Sequence, residues 1–389
     1  MSPNPSGYNN GQYTFQQQTF CMSMLTCLSF NLTGSSETIT QRFKASIEEV
    51  LQNSTAQGFI GKWKLVWGPV VFADSFFGAK TSVNSMFIAA PESDPEQVVI
   101  AIAGTNGSSL VSWVLEDFNV KETVPWPHEH SPLNPRISKG AAYGLDKLMG
   151  LSDVNPSDAS TMTARDFLMA NPWITKVMVT GHSLGGCLSA LYSLYLKNTL
   201  SDWNSSGTAV ISCLTTAGQS SGDQNFSLYY GEQLADRTTR IWNSMDAIPH
   251  AFQPTTLAKV PALYEPNIAV PAPVEKLVAS LLRETQANNY VNILPEASGF
   301  PSSYVGFKNI DQGKYKTFTD IIEAGVDTAR RLIPFESDRI MGSIDFLVEA
   351  LVQHIFPYFD YFEVNDFMVL MNTPLTRPIP SLTKPTPKT

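Results

Sequence analysis

The stretch KVMVTGHSLGGCLSAL, residues 176–191, joins a β-branched run to an apolar run through one serine flanked by glycines. A strand that turns into a helix within so few residues leaves room for few folds, because the two elements must pack face to face. The downstream run is apolar nearly all round, as a helix buried against a sheet requires. Similar strand-like runs recur at TKVMVT (175–180), TAVISCLTT (208–216) and RTTRIWNS (237–244), alternating with helical patterns. This alternation predicts an α/β fold whose central sheet is mostly parallel, with helices on both faces. Upstream, KWKLVW (62–67), VNSMFIAA (83–90) and VVIAIAGT (98–105) follow one another too closely for crossovers, so antiparallel pairing is expected there.

Around this scaffold the reading divides the chain into three parts. Residues 1–58 form an N-terminal segment whose helix, with Ile39, Phe43, Ile47, Val50 and Leu51 on one stripe, packs on the core. Residues 59–372 form the main domain, with a helical cap inserted at about 253–340; Val274, Leu277, Val278, Leu281 and Leu282 lie at helical spacing within it. Residues 373–389 form a Pro/Thr-rich tail that cannot pack a core. With 43% apolar residues, most of the chain is expected to fold around a core. The net charge of −9 argues against a nucleic-acid binder, which needs a basic footprint. Cys21, Cys27, Cys187 and Cys213 read as reduced core thiols; none has zinc spacing, and neither metal nor cofactor is expected. No run reaches a membrane span, and the polar N-terminus lacks a basic n-region, so the reading expects either no Sec leader or a removed one. That leaves the compartment open.

Gly-x-Ser-x-Gly occurs twice, around Ser183 and around Ser220. The motif carries meaning only between a strand and a helix, where a strained turn exposes the serine hydroxyl. Ser183 meets that requirement. Ser220 is followed by a segment polar on one side, with Asp223 suited to an N-cap. A nucleophilic serine needs a base and an acid, in the chain order Ser, Asp/Glu, His for this architecture. That order favours His354, expected near a helix end or loop before Pro357, and Asp246, with Asp223 as its rival. His128 and His130 read as solvated loop residues, His182 as a local packing group, and His250 as too near Asp246 in sequence for both to converge on Ser183. The backbone N–H of Leu184, at the helix N-terminus, faces a developing oxyanion, and Gly104-Thr105 after an earlier strand offers a second donor or a plain turn.

Taken together, AGT (103–105), Trp113 with Asp117, GHSLGG (181–186), GQSSGDQNF (218–226), MDAIP (245–249) and the late His354 resemble the class 3 lipase family, fungal-type triacylglycerol lipases of the α/β-hydrolase fold. The resemblance runs from about residue 60 to 370. It implies a Ser183–His354–Asp246 triad, an oxyanion hole from Thr105 and Leu184, and a structural loop at Ser220. It also implies a lid at about 120–137, in which Trp126 either meets a lipid surface or anchors the loop. Ala103 stands where the family has arginine, and Tyr358 follows the histidine by four residues instead of three. The implied activity is hydrolysis of lipid esters at a lipid–water interface. The same scaffold also serves feruloyl esterases, phospholipases A1 and acyl transfer to alcohols, and an inactive lipid-binding relative is the reading from another class.

Overall fold

The computed structural model describes residues 12–30, 32–76, 79–104, 120–128, 131–154, 160–332 and 339–372. Its central sheet, among the described residues, runs β1 (Trp63–Phe76), β2 (Ala79–Pro91), β3 (Gln97–Ile102), β6 (Lys176–His182), β7 (Val210–Thr216) and β9 (Thr238–Ile241) in that spatial order. β1, β2 and β3 pair antiparallel; β3, β6, β7 and β9 pair parallel. A second, smaller sheet joins β4 (Thr123–Pro125), β5 (Arg136–Ser138), β8 (Gly222–Asp223) and β10 (Tyr290–Val291).

β3 shows why the sheet is covered on both sides. Val99 and Ala101 pack into one core, while Val98, Ile100 and Ile102 pack into the other, so the period of two along the strand feeds two layers. Parallel strands buried on both faces carry such continuous apolar runs. One layer holds helix α3 (Leu184–Asn198), in which every residue from Leu184 to Tyr195 is buried. The opposite layer is built from α1 (Phe15–Leu25), α2 (Ser36–Gln52), α6 (Lys316–Leu332) and α7 (Arg339–Tyr361). A third cluster, Leu257, Val260, Tyr264, Ile268, Val278 and Phe346, gathers under α5 (Ala272–Thr285) within the stretch read as a cap.

Helix α1 is absent from the sequence reading, yet it belongs to the main core. Thr14 and Gln17 close a capping box at its start, a signature visible as T-x-x-Q in the sequence. The buried Phe20 ring stacks on Phe362 at 4.1 Å and meets the edge of His182. The Gln17 side chain donates to the Phe362 carbonyl at 2.7 Å, tying the two ends of the chain together. All four cysteines are free and buried. Trp113, Asp117, His130 and the tail from 373 lie outside the described residues.

Phe20→Ala should cost about 3–5 kcal/mol, because the ring is fully enclosed between His182 of β6, Phe359 of α7 and Phe362 just beyond it. A urea titration that shows a shift below about 1 kcal/mol would mean that α1 is an appendage.

Candidate active site

Strand β6 ends at His182, and Ser183 then takes φ 64° and ψ −127° before α3 begins at Leu184. A positive φ at a non-glycine residue is strained and needs surrounding structure to hold it. Here the Ser183 N–H donates to the Thr216 carbonyl of the neighbouring strand at 3.0 Å. The turn closes only because side chains are missing beside it. A Cβ on Gly181 would lie 2.2 Å from the Gly185 carbonyl oxygen, and one on Gly185 would lie 2.3 Å from that of Ile102. The spacing of the two glycines therefore reflects backbone packed against backbone. Leu184 stands in the first turn of α3, whose N–H groups have no acceptor within the helix and carry its positive dipole end.

Asp246 follows β9 and is fully buried. Its Oδ2 lies 2.8 Å from His354 Nδ1 and accepts from the Tyr358 hydroxyl at 2.9 Å, while Oδ1 accepts from the Ile248 N–H. His354 Nε2 and Ser183 Oγ are both buried and have no hydrogen-bond partner among the described residues. They line one small cavity of about 30 Å³, walled by Gly104, His182, Met24, Cys27, Phe318 and Leu351, among others. Asp246 is thus brought to the imidazole, and the imidazole and the Ser183 hydroxyl share a space. Thr105 lies outside the described residues, one position beyond Gly104 in the cavity wall.

His354 does not sit near a helix end or loop, as its nearness to Pro357 suggests. It lies within α7, and the helix continues through Pro357 to Tyr361. A proline inside a helix leaves the carbonyl four residues earlier without its N–H. That carbonyl belongs to Gln353, and the Asn243 side-chain amide donates to it at 2.9 Å and to the Gln353 Oε1 at 2.8 Å. The break is therefore compensated, and the imidazole is carried on a regular helix. The His354 carbonyl accepts from His182 Nε2 at 2.7 Å, which leaves His182 Nδ1 facing the Thr216 hydroxyl at 3.1 Å. Burial holds the His182 imidazole well below the ordinary histidine range, so it stays neutral and serves as a strut.

The remaining candidates separate clearly. Ser220 is buried but does not line the cavity. Asp223 caps helix α4 (Gln224–Leu234) through the Phe226 N–H at 2.8 Å and also accepts from the Arg136 N–H, so both its bonds belong to the fold. For Trp126, weighed as either a lipid contact or a loop anchor in segment 120–137, the contacts in this structure are those of an anchor. The ring is 4% exposed, its Nε1–H donates to the Asn198 side chain at 2.9 Å, and it packs against Phe226 and His128. Asn198 ends α3, so Trp126 lies roughly 20 Å along the helix from Ser183. It is a buried anchor, and β4 and β5 on either side of it are held in the small sheet. His128, read as a solvated loop residue, is half-buried beside it with its Nε2 enclosed. The cavity also contains Cys27, whose thiol burial pushes up to about 12 and thereby keeps it protonated and a poor nucleophile. Sequence reasoning missed the contribution of Met24, Cys27 and Phe30 to the cavity, for which the capping box before α1 was the available signal. Among the described residues, no group of three or more His, Cys, Asp or Glu side chains is placed to hold a metal, and no helix is long and apolar enough to cross a membrane.

Residues 99–256 match the family model described as lipase (class 3). The fold is similar to the crystal structure of M37 lipase, with a TM-score of 0.71 and 26% identity, covering 90% of this chain and 92% of that one. Lipase II from Rhizopus niveus matches with a TM-score of 0.40 and 16% identity, over 62% of this chain and 76% of that one. No curated protein matches the sequence significantly.

Because the folded chain keeps His182 neutral and the unfolded chain protonates it below about pH 6.5, stability should fall as pH drops from 7.5 towards 5. This residue contributes up to about 1.4 kcal/mol per pH unit, and His128 and His250, also lowered by burial, add to the same slope. Urea unfolding at several pH values should show a shallower slope for His182→Gln than for the wild type. Identical slopes would mean that His182 titrates alike in both states.

Proposed function

On the footing that this chain belongs to the class 3 lipase family, with an α/β-hydrolase fold, we propose that it hydrolyses lipid esters through Ser183, His354 and Asp246. The observation that carries the reading is the 2.8 Å contact between Asp246 Oδ2 and His354 Nδ1, which leaves Nε2 facing the cavity shared with the Ser183 hydroxyl. Asp246 fixes the imidazole tautomer and orientation and stabilises the imidazolium that forms. Ser183 Oγ adds to the acyl carbonyl carbon as His354 Nε2 takes its proton. The oxyanion is held by the Leu184 N–H and by Thr105, the second donor in this reading. Collapse breaks the bond to the alcohol oxygen, which leaves with the proton from His354. Water then gives a proton to His354 and its hydroxyl to the acyl carbon. A second collapse releases the carboxylic acid and returns the proton to Ser183.

The cavity supports acyl chemistry at a dry centre. Its walls are mainly apolar side chains, and in such surroundings hydrogen bonds to a developing charge count for more than they do in water. Tyr358 donates to the same carboxylate oxygen that faces His354, and its hydroxyl accepts from the Asn243 N–H at 3.0 Å. The acid is therefore restrained from two sides.

Ser183→Ala should lower turnover on p-nitrophenyl esters by on the order of 10⁶ and abolish labelling by a fluorophosphonate probe. Near-native hydrolysis by that variant would refute the serine. Asp246→Asn should lower turnover by about 10⁴, since the amide favours the wrong tautomer. Asp223→Asn should stay within a few fold, because asparagine caps a helix as well as aspartate. A larger loss in Asp223→Asn than in Asp246→Asn would reverse the assignment of the acid.

A further inference from the structure

A second, larger cavity of about 190 Å³ opens beside the catalytic one. It lies between α5 and α7, is lined by Val274, Leu277, Leu281, Phe346 and Ala350 among others, and reaches His354. Leu351, on the turn of α7 before His354, lines both cavities. Among the described residues, Leu351 and His354 are common to both linings. The small cavity includes Ser183 and Gly104, whereas the large one touches His354 and neither of those residues.

That difference assigns a direction. In the tetrahedral intermediate the imidazole lies on the side of the leaving oxygen, to which it gives its proton, and the acyl substituent points elsewhere. A chamber that, among the described residues, meets the proposed triad at His354 and not at Ser183 is placed to receive what hangs from the leaving oxygen. Resting on the proposed triad, we infer that the chamber between α5 and α7 binds the hydrocarbon of the alcohol moiety, and that the enzyme selects esters of long apolar alcohols.

Size and lining agree with such an occupant. An apolar cavity of about 150 Å³ admits benzene, so one of about 190 Å³ accommodates a hydrocarbon segment of roughly seven or eight heavy atoms. Besides His354, Ser343 is the one polar side chain in the lining among the described residues, and no charged side chain is there to receive a phosphate. An alkyl or acylglycerol chain fits these walls, and a zwitterionic head group does not. Much of the lining, including Leu257, Val260, Val278 and Phe346, belongs to the cluster under α5, while Leu351 and Phe252 connect the chamber to the two cores that flank the sheet.

The test measures kcat/KM on two ester series, with wild type, Leu277→Trp and Leu277→Ala. One series varies the alcohol: methyl, butyl, octyl and dodecyl butanoate. The other varies the acyl group: methyl butanoate and methyl octanoate. Leu277 is half-buried on α5, away from the residues of the proposed triad, so filling or emptying its position spares the machinery. Wild type should prefer octyl over methyl butanoate by at least about tenfold. Leu277→Trp should erase that preference while leaving both methyl esters within about twofold of wild type. Leu277→Ala should move the preference from octyl towards dodecyl butanoate. If Leu277→Trp instead depresses methyl octanoate and spares octyl butanoate, the chamber takes the acyl chain and the inference is overturned. An octyl preference that survives in Leu277→Trp, or an equal loss on every ester, overturns it as well. Should the tryptophan variant fail to fold, an unchanged alcohol profile in Leu277→Ala is the contrary result. None of these outcomes alters the dependence on Ser183, so a wrong chamber and a wrong nucleophile remain distinguishable.

Discussion

The hydrogen bond between Asp246 and His354 joins residues 108 positions apart, and the rest of the site is arranged around it. A buried carboxylate is costly unless its oxygens are occupied. Asp246 accepts from Tyr358 and from the Ile248 N–H as well as facing the imidazole, so its acceptor capacity is filled by groups from two segments of chain. Loss of register between those segments would strand a buried acid. The contact therefore acts as a constraint on the fold: α7 must dock on the edge of the sheet near β9, in one register, for the acid to be satisfied.

The serine obeys a different constraint, set by backbone and not by charge. The strained φ of Ser183 is held because α3 approaches β3 and β6 until carbonyl oxygens occupy the space of a Cβ. His182 then ties the two constraints together. Its ring reaches from the end of β6 to the carbonyl of His354, so the residue before Ser183 supports the helix that carries His354. Burial keeps that ring neutral, which lets one nitrogen donate while the other accepts.

The sequence made the sheet legible because its strands are periodic and its connections obey chain geometry. The antiparallel β1–β3 and the parallel β6, β7 and β9 all stand where alternation and spacing predict them. The elbow was legible for the same reason, since two glycines around a serine between a strand and a helix have one simple packing explanation. Three features were not. Pro357 suggested a loop at His354, because a lone sequence cannot show that Asn243 receives the freed carbonyl of Gln353. Trp126 offered equal cases for a lipid contact and an anchor, and the hydrogen bond that favours the anchor comes from Asn198, 72 residues away, where local sequence cannot show it. Helix α1 has no strong apolar stripe, being buried on nearly all sides, so periodicity passes over it although its capping box is written plainly.

Helix α7 shows how a long buried helix can serve several tasks at once. Its faces are set by the 3.6-residue turn. Val352, Ile355 and Phe359 enter the core beneath the sheet, while Phe346, Ala350 and His354 face the chamber under α5. Glu349 and Gln353 occupy the third face. The Glu349 carboxylate accepts from the Val305 and Gly306 N–H groups and from the Gln353 amide, and Gln353 passes the connection on to Asn243. Rotation of the helix to alter one face would unseat the other two. Change in the chamber is consequently easiest from the opposite wall, where α5 packs on a separate small core and bears no part of the Asp246–His354 contact.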